Sequence, residues 1–182
     1  MKLSKADADA FYRLMWALQH FVNTKLRIVP EANSVSEYAK YKMEDKLKVR
    51  KALLADKKLI EEFVRANPQG FSSDDLTIVS GWRHFVSGRF YIERFLKKYA
   101  IFILGDEVYG VSGISESFSD IIHPSCLPLC ANAVLLSFKG RIIYDGIFEP
   151  YNVMFGRNIM SELKDTYMTA KNEKCIIETI PA

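Results

Sequence analysis

One stretch decides the fold of the C-terminal half: Val134-Leu135-Leu136-Ser137-Phe138-Lys139-Gly140-Arg141-Ile142-Ile143-Tyr144-Asp145-Gly146. Two apolar runs flank the pair Lys139-Gly140, a pattern typical of a tight β-hairpin. Gly140 supplies the positive φ that such a turn requires, whether the turn is type II or type I′. The predicted register places Leu136 opposite Ile143.

A second hairpin is predicted earlier in the chain. The pair Gly105-Asp106 lies between two apolar runs, and glycine in the first turn position is typical of a type II′ turn. This register predicts a cross-strand pair of Phe102 and Tyr109. Residues 89–98 fit both a strand period and a helical period. Their aromatic content and the glycine before them favour a strand.

The N-terminal half carries helical spacing, and four helices are predicted there. Ser34 and Glu37 form a capping box, from which one long helix is predicted to run to about Leu54. Shorter helices are predicted after Asp56 and from Ser72 onward. The change from helical to strand spacing comes just after these helices.

Beyond the hairpins, a helix is predicted at 157–171 and a last strand at 175–180. The predicted fold class is therefore α+β, with N-terminal helices packed on an antiparallel β-meander of four to five strands and a C-terminal helix and strand. We divide the chain into a helical segment, 1–86, and a β-meander with the C-terminal helix, 87–182. We expect the two to form one integrated domain.

Composition narrows the class of protein. The chain has 182 residues and a net charge of only +3, which by itself does not indicate a nucleic-acid partner. The N-terminus lacks the apolar core of a signal peptide, and no apolar run reaches the ~20 residues that span a bilayer. Cys126, Cys130 and Cys175 form no disulfide framework, as in a reducing compartment. We therefore expect a cytoplasmic protein without a membrane partner.

The positive charge is concentrated in residues 40–58, which contain eight basic residues and only three acidic ones. A cluster of positive charge of this kind is typical of a surface that binds the phosphates of nucleic acid. On a helical wheel, however, the basic residues fall into two arcs separated by apolar positions, whereas a groove-binding helix gathers its charge on one face. Lysine stems packed along apolar surface explain the pattern as well, so the sequence disfavours a nucleic-acid partner.

Catalytic candidates are scattered along the sequence. His84 lies between aromatic residues with Arg89 and Glu93 nearby, and Asp145 follows the predicted hairpin. Together they could supply a base, an anion-binding group and a second carboxylate. A structural histidine and a carboxylate that accepts local backbone bonds are the simpler interpretations. No P-loop, dinucleotide fingerprint, HExxH or EF-hand loop occurs, so no cofactor is predicted.

Three potential metal ligands lie within eight residues: His123, Cys126 and Cys130. A closed zinc site needs four ligands, and the fourth would have to come from a distant part of the chain. Cysteine also behaves as a small apolar residue in cores. We therefore predict an apolar loop without a metal, and keep these three residues as the candidates for one.

Several segments resemble a family of uncharacterised bacterial proteins over residues 81–167. They are Gly81-Trp82-Arg83-His84-Phe85-Val86-Ser87-Gly88-Arg89-Phe90-Tyr91, Lys97-Lys98-Tyr99-Ala100-Ile101-Phe102, Tyr109-Gly110-Val111-Ser112-Gly113-Ile114 and 135–146. The resemblance supports the predicted fold and implies no activity, substrate or catalytic residue.

The sequence contains many apolar patterns that are typical of a packed core, and it contains no known catalytic motif. We therefore expect a non-catalytic interaction or regulatory module that binds a protein partner or a second copy of itself. Two alternatives remain open. One is an enzyme with a non-local site around the four catalytic candidates, and the other is nucleic-acid binding through residues 40–58. Convergence of the four candidates in one cleft would favour the enzyme.

Overall fold

The structure is a computed structural model that describes residues 1–181 and confirms the predicted α+β class. Seven helices are α1 Lys5–Leu26, α2 Val35–Tyr38, α3 Met43–Ala55, α4 Lys58–Ala66, α5 Ser73–Gly81, α6 Phe118–Ile121 and α7 Arg157–Asn172. Five strands are β1 Val86–Phe95, β2 Ala100–Leu104, β3 Glu107–Ser112, β4 Leu129–Phe138 and β5 Arg141–Pro150. Short 3-10 helices span Trp82–His84 and Pro124–Cys126.

The chain divides into two compact units. Residues 9–83 form a helical unit, and Met1–Ala8 joins His84–Pro181 in a barrel unit. The predicted division at 86/87 lies close to this boundary, but the sequence did not indicate that the first eight residues belong with the strands. Integration of the two units into one domain stays a prediction.

Helix α1 supplies the core of the helical unit. Phe11, Leu14, Leu18 and Val22 recur at helical spacing and are fully or almost fully buried. The ring of Phe11 meets that of Trp82 edge to face, with centroids 5.7 Å apart. Edge-to-face pairs of this kind contribute about 0.5–1.5 kcal/mol beyond the area that the rings bury.

The predicted long helix from Ser34 is wrong, because it is broken into α2 and α3. Half of the predicted capping box forms, since Ser34 Oγ accepts from the Glu37 amide at 3.2 Å, but the Glu37 carboxylate accepts from the Asn33 amide at 2.8 Å and not from that of Ser34. The break after Tyr38 is stabilised by tertiary contacts. The Tyr38 hydroxyl donates to Gln19 at 3.0 Å, and Lys46 Nζ donates to the Ala39 carbonyl at 2.6 Å. Such contacts override the helical propensity of the intervening residues.

The five strands close into a barrel in the order β1-β2-β3-β5-β4. Strand β1 pairs antiparallel with β2 on one edge and with β4 on the other, which closes the barrel. Strands β3 and β5 pair in parallel at Val111–Ile142 and Ser112–Ile143. The sheet is thus mixed, whereas a meander would be purely antiparallel. The connection through α6 carries the chain across the barrel between β3 and β4, which makes the parallel pair possible.

Both predicted hairpins are confirmed in their register. Phe102 lies opposite Tyr109, and Leu136 opposite Ile143. Lys139 and Gly140 both adopt positive φ, +48° and +73°, which identifies the turn as type I′. This turn matches the right-handed twist of the strands that it joins.

The barrel has an apolar interior and one covered outer face. Phe90, Phe102 and Leu135 are fully buried in the interior cluster. On the outer face of β1, β2 and β3, Leu163 and Tyr167 of α7 pack in a second cluster that includes Ile103. The predicted helix at 157–171 is therefore confirmed, and it covers one side of the barrel.

The predicted last strand, 175–180, is reduced to a single parallel bridge between Ile177 and Tyr109. The Ile177 amide donates to the Val108 carbonyl at 2.8 Å, and its carbonyl accepts from the Gly110 amide at 2.9 Å. Strand β5 pairs with β3 only at Val111 and Ser112. Residues 175–180, called here the C-terminal segment, therefore occupy the part of the β3 edge that β5 does not reach.

Candidate ligand-binding site

A cavity of about 260 Å³ lies in the barrel unit where the β1–β2 and β4–β5 turns meet β3. We call it the rim cavity. Its lining residues are Met1, Lys98, Tyr99, Gly110, Ser112, Gly140, Arg141, Ile142 and Glu178. Four separate parts of the barrel and the C-terminal segment thus contribute to one concave surface, as is usual for small-ligand sites.

Tyr99 forms one wall of the rim cavity. Its ring lies so close to Gly110 that a β-carbon there would come within 2.8 Å of Tyr99 Cδ1. The hydroxyl donates to Glu178 Oε1 at 2.9 Å. Burial, followed by this bond to a carboxylate, raises the pKa of Tyr99 to about 12. The phenol is therefore a protonated donor at neutral pH.

Glu178 reaches the rim cavity from the C-terminal segment. Its carboxylate accepts from Tyr99 with one oxygen and is paired with Lys98 Nζ through the other. The hydrogen bond from Lys98 is the main cause that lowers the pKa of Glu178, against the opposing effect of burial. The carboxylate is consequently ionised at neutral pH and holds two donors at the cavity mouth.

Lys98 and Arg141 line the rim cavity, and Lys97 and Lys139 are their exposed neighbours in the β1–β2 and β4–β5 turns. We call these four basic residues the basic rim. Lys139 Nζ pairs with Asp7 Oδ1 at 2.5 Å. This bond is the main cause that lowers the pKa of Asp7. Within residues 1–181, neither Lys97 nor Arg141 forms an ion pair. Asp7 also interacts electrostatically with Arg141. The two carboxylates of Glu178 and Asp7 thus offset two of the four positive charges of the basic rim, and a net charge of +2 is left to attract an anion.

The four catalytic candidates have separate local environments. His84 is exposed at the end of a 3-10 helix, and exposed Arg89 places its guanidinium 4.9 Å from the ring centre of Tyr151. Glu93 accepts from Arg94 at 2.7 Å. None of the three lines the rim cavity, so the convergence that would favour an enzyme is not seen there.

Asp145 is buried, with 4% of its surface exposed, on β5. Its Oδ1 accepts from the Ile147 amide at 3.3 Å, beside Gly146 at φ +92°. The carboxylate therefore accepts a hydrogen bond from the local backbone at an irregular point of the strand, as the sequence predicts. The residue does not line the rim cavity.

The metal candidates lie in and after the 3-10 helix that precedes β4. His123 Nδ1 is 2.7 Å from Ser125 Oγ and caps this helix, whereas Cys126 is exposed and Cys130 is buried. Burial raises the pKa of the Cys130 thiol. Across residues 1–181, no three side chains of His, Cys, Asp or Glu are grouped so that they could hold a metal ion.

The basic segment 40–58 differs from the helical-wheel interpretation. Its buried face carries Lys46 and Arg50, each 8% exposed, whereas the apolar side chain of Met43 is 51% exposed. Lys46 Nζ lies 4.3 Å from the ring centre of Trp16, and burial lowers its pKa. Two of the eight cations therefore pack inside the protein, which weakens this segment as a nucleic-acid footprint.

Sequence reasoning did not single out the residues of the rim cavity. Their one local sign is a pair of basic residues in each of two turns, Lys97-Lys98 and Lys139-Gly140-Arg141. Nothing in the sequence shows that these turns meet, because the closure of the barrel brings them together.

No family model matches this chain, and searches of curated proteins and of solved structures find no match either. The resemblance to an uncharacterised bacterial family therefore stays a prediction. In the part of the chain that the structure describes, no helix is both long and apolar enough to cross a membrane.

Proposed function

We propose that this protein is a non-catalytic binding module that holds single-stranded nucleic acid at the rim cavity. The observation that carries the proposal is the meeting of the β1–β2 turn, β3 and the β4–β5 turn around one cavity edged by the basic rim. A basic groove beside an aromatic ring is the usual arrangement for binding a strand without sequence preference. The alternative surface, residues 40–58, is not part of this proposal.

Strand order supports the same conclusion by fold analogy. The barrel has the order β1-β2-β3-β5-β4, a parallel β3–β5 pair and a helix between β3 and β4. This is the strand order of the OB-fold, a five-stranded barrel that binds oligonucleotides and oligosaccharides. There, the face of the second and third strands and the loops after the first and fourth strands hold the ligand.

Helix α7 limits how much ligand this barrel can hold. In OB-folds the outer face of the second and third strands takes part in binding, but here α7 covers that face with Leu163 and Tyr167. A ligand is therefore confined to the rim cavity and its basic rim. We expect contacts with one or two nucleotides, modest affinity and a strong dependence on salt.

The test is fluorescence anisotropy with a labelled short oligothymidylate at several salt concentrations. Arg141→Ala and Lys97→Ala should each weaken binding and make the slope of log K against log salt shallower by about 0.7, the contribution of one phosphate on a single strand. Lys48→Ala and Lys51→Ala, which change exposed cations of the helical unit, are the matched controls and should leave the slope unchanged. Equal slopes in all four variants would contradict the proposal.

The cysteines bear on the cellular compartment of the protein, and the sequence bears on its partner. Cys126, Cys130 and Cys175 are all free thiols, which supports a reducing compartment such as the cytoplasm. A protein partner or a second copy of the chain is the partner that the sequence favours over nucleic acid, and it is the alternative to this proposal. Sedimentation with and without the oligothymidylate distinguishes a self-associating protein from one that binds nucleic acid as a monomer.

A further inference from the structure

We infer that Lys98 and Tyr99 form a phosphate subsite that Glu178 occupies in the free protein, so that the C-terminal segment regulates access to the rim cavity. This inference rests on the proposed function, because it concerns the same cavity and the same ligand. It goes further in naming the group that recognises a phosphate and the side chain that competes with it.

The bonding of Glu178 identifies the subsite. One carboxylate oxygen accepts from the Tyr99 hydroxyl at 2.9 Å, and the other is bound to Lys98 Nζ. An ammonium and a hydroxyl directed at two oxygens of one anion would serve a phosphate equally well. Glu178 therefore holds in place the two donors that a phosphodiester would use.

Further donors for a ligand line the same cavity. Ser112 contributes a hydroxyl on a side chain that is 4% exposed, and Arg141 contributes an exposed guanidinium. A guanidinium binds phosphate in a bidentate manner, which an ammonium cannot do. The subsite thus lies beside the cation that we expect to make the first contact with an approaching strand.

The side chain of Glu178 can leave the subsite without unfolding the segment that carries it. The segment is held by the two backbone bonds of Ile177 to β3 and by Ile180, which is buried in the barrel interior. The side chains of Glu178 and Lys98 are themselves 42% and 65% exposed. An ion pair this exposed contributes only about 0–1 kcal/mol, so a phosphate can displace the carboxylate.

Glu178→Gln tests the inference with the same labelled oligothymidylate. The amide keeps the shape of the side chain but removes the charge that neutralises Lys98. We expect binding to become about threefold to tenfold tighter at low salt. The slope of log K against log salt should become steeper by about 0.7, because Lys98 then contacts one additional phosphate.

Two further variants separate a specific effect from a change in net charge. Glu162→Gln makes the same charge change on the exposed side of α7, away from the rim cavity, and should leave the slope unchanged. Glu178→Gln combined with Lys98→Ala should return the slope to its wild-type value. Thermal unfolding of each variant shows that the barrel is intact.

The outcomes distinguish this inference from the proposed function. Binding by the wild type with the same affinity and slope in Glu178→Gln would overturn the inference and leave the proposed function standing. Absence of binding in both proteins would overturn the proposed function and the inference with it. Tighter binding and a steeper slope in Glu178→Gln, reversed by Lys98→Ala, is the result that we expect.

Discussion

The ring of Tyr99 lies against the backbone of Gly110, so that three ring atoms would be within 2.9 Å of a β-carbon at position 110. Real β-carbons essentially never come this close to other atoms, and the ring fills the space that a side chain would take. Gly110 also donates its amide to Ile177 of the C-terminal segment. Position 110 thus contacts both Tyr99, through the space left by the missing side chain, and the segment that carries Glu178, through a backbone bond.

Gly110→Ala is therefore expected to displace the Tyr99 ring and to lower the free energy of unfolding by about 1–3 kcal/mol, the usual cost of overpacking. Thermal unfolding measures the loss. Gly156→Ala, at the N-cap of α7 where an added β-carbon meets no atom within 4 Å, causes no clash and should cost about 1 kcal/mol or less, because alanine is a poorer N-cap than glycine. Combining Gly110→Ala with Tyr99→Ala should recover part of the loss, and strict additivity of the two would refute the proposed clash.

The β4–β5 turn gives a second prediction. Gly140 adopts φ +73°, where a β-branched residue is strained, so Gly140→Val should cost about 1–3 kcal/mol. Lys139→Ala should cost less than about 1 kcal/mol, because the backbone at this position already has positive φ and the change removes an exposed ion pair with Asp7 and a contact 5.6 Å from the ring centre of Phe138. Equal thermal midpoints for the two variants would show that the turn does not constrain the barrel.

The third prediction concerns pH and Glu178. Its pKa is lowered in the folded protein below the ordinary value of 4.5, chiefly by Lys98. The ion pair therefore stabilises the fold above that ordinary value, and the stabilisation is lost as the pH falls through the lowered pKa. Urea unfolding should show wild type more stable than Glu178→Gln by at most about 1 kcal/mol at neutral pH.

That difference should disappear in strongly acidic solution. Glu162→Gln is the matched control, and its difference from wild type should be small at every pH. A stability gap for Glu178→Gln that does not change with pH would mean that the charge of Glu178 has no part in the interaction.

Lys46 gives the fourth prediction, in the helical unit. Replacing it with alanine removes the contact with Trp16 and the bond to the Ala39 carbonyl, at an expected cost of about 1–3 kcal/mol. Lys48 pairs only with Asp45 on the surface, so Lys48→Ala should cost about 0.5 kcal/mol or less. Chemical unfolding of both variants provides the comparison, and a cost for Lys48→Ala as large as that for Lys46→Ala would contradict it.

The parts of the fold that the sequence predicts are those determined by neighbouring residues. Both hairpins follow from glycine in a turn between apolar runs, and their register places Phe102 opposite Tyr109. The pairing of β1 with β4 and of β3 with β5 joins distant segments and leaves no local pattern. The break between α2 and α3 was missed for a related reason, since Gln19 and Trp16 of α1 stabilise it through Tyr38 and Lys46.

The candidate site was missed because its residues are separated along the chain. Lys98 and Tyr99 come from one turn, Arg141 from another and Glu178 from the C-terminal segment. None of these residues lies in a recognisable sequence motif. They come close together only because the strands close into a barrel. In the sequence, residues with aromatic neighbours are more conspicuous. One of them is His84, which the structure leaves exposed.

The position of the C-terminal segment has a consequence for synthesis of the protein on the ribosome. The carbonyl of Val108 and the amide of Gly110 find their partner in Ile177, which is translated long after β3. Until then, a nascent chain exposes unpaired backbone on one edge of the barrel. Exposed edges of this kind pair readily with other chains. We therefore expect this edge of the barrel to be open to pairing with other chains during the interval between translation of β3 and translation of residue 177.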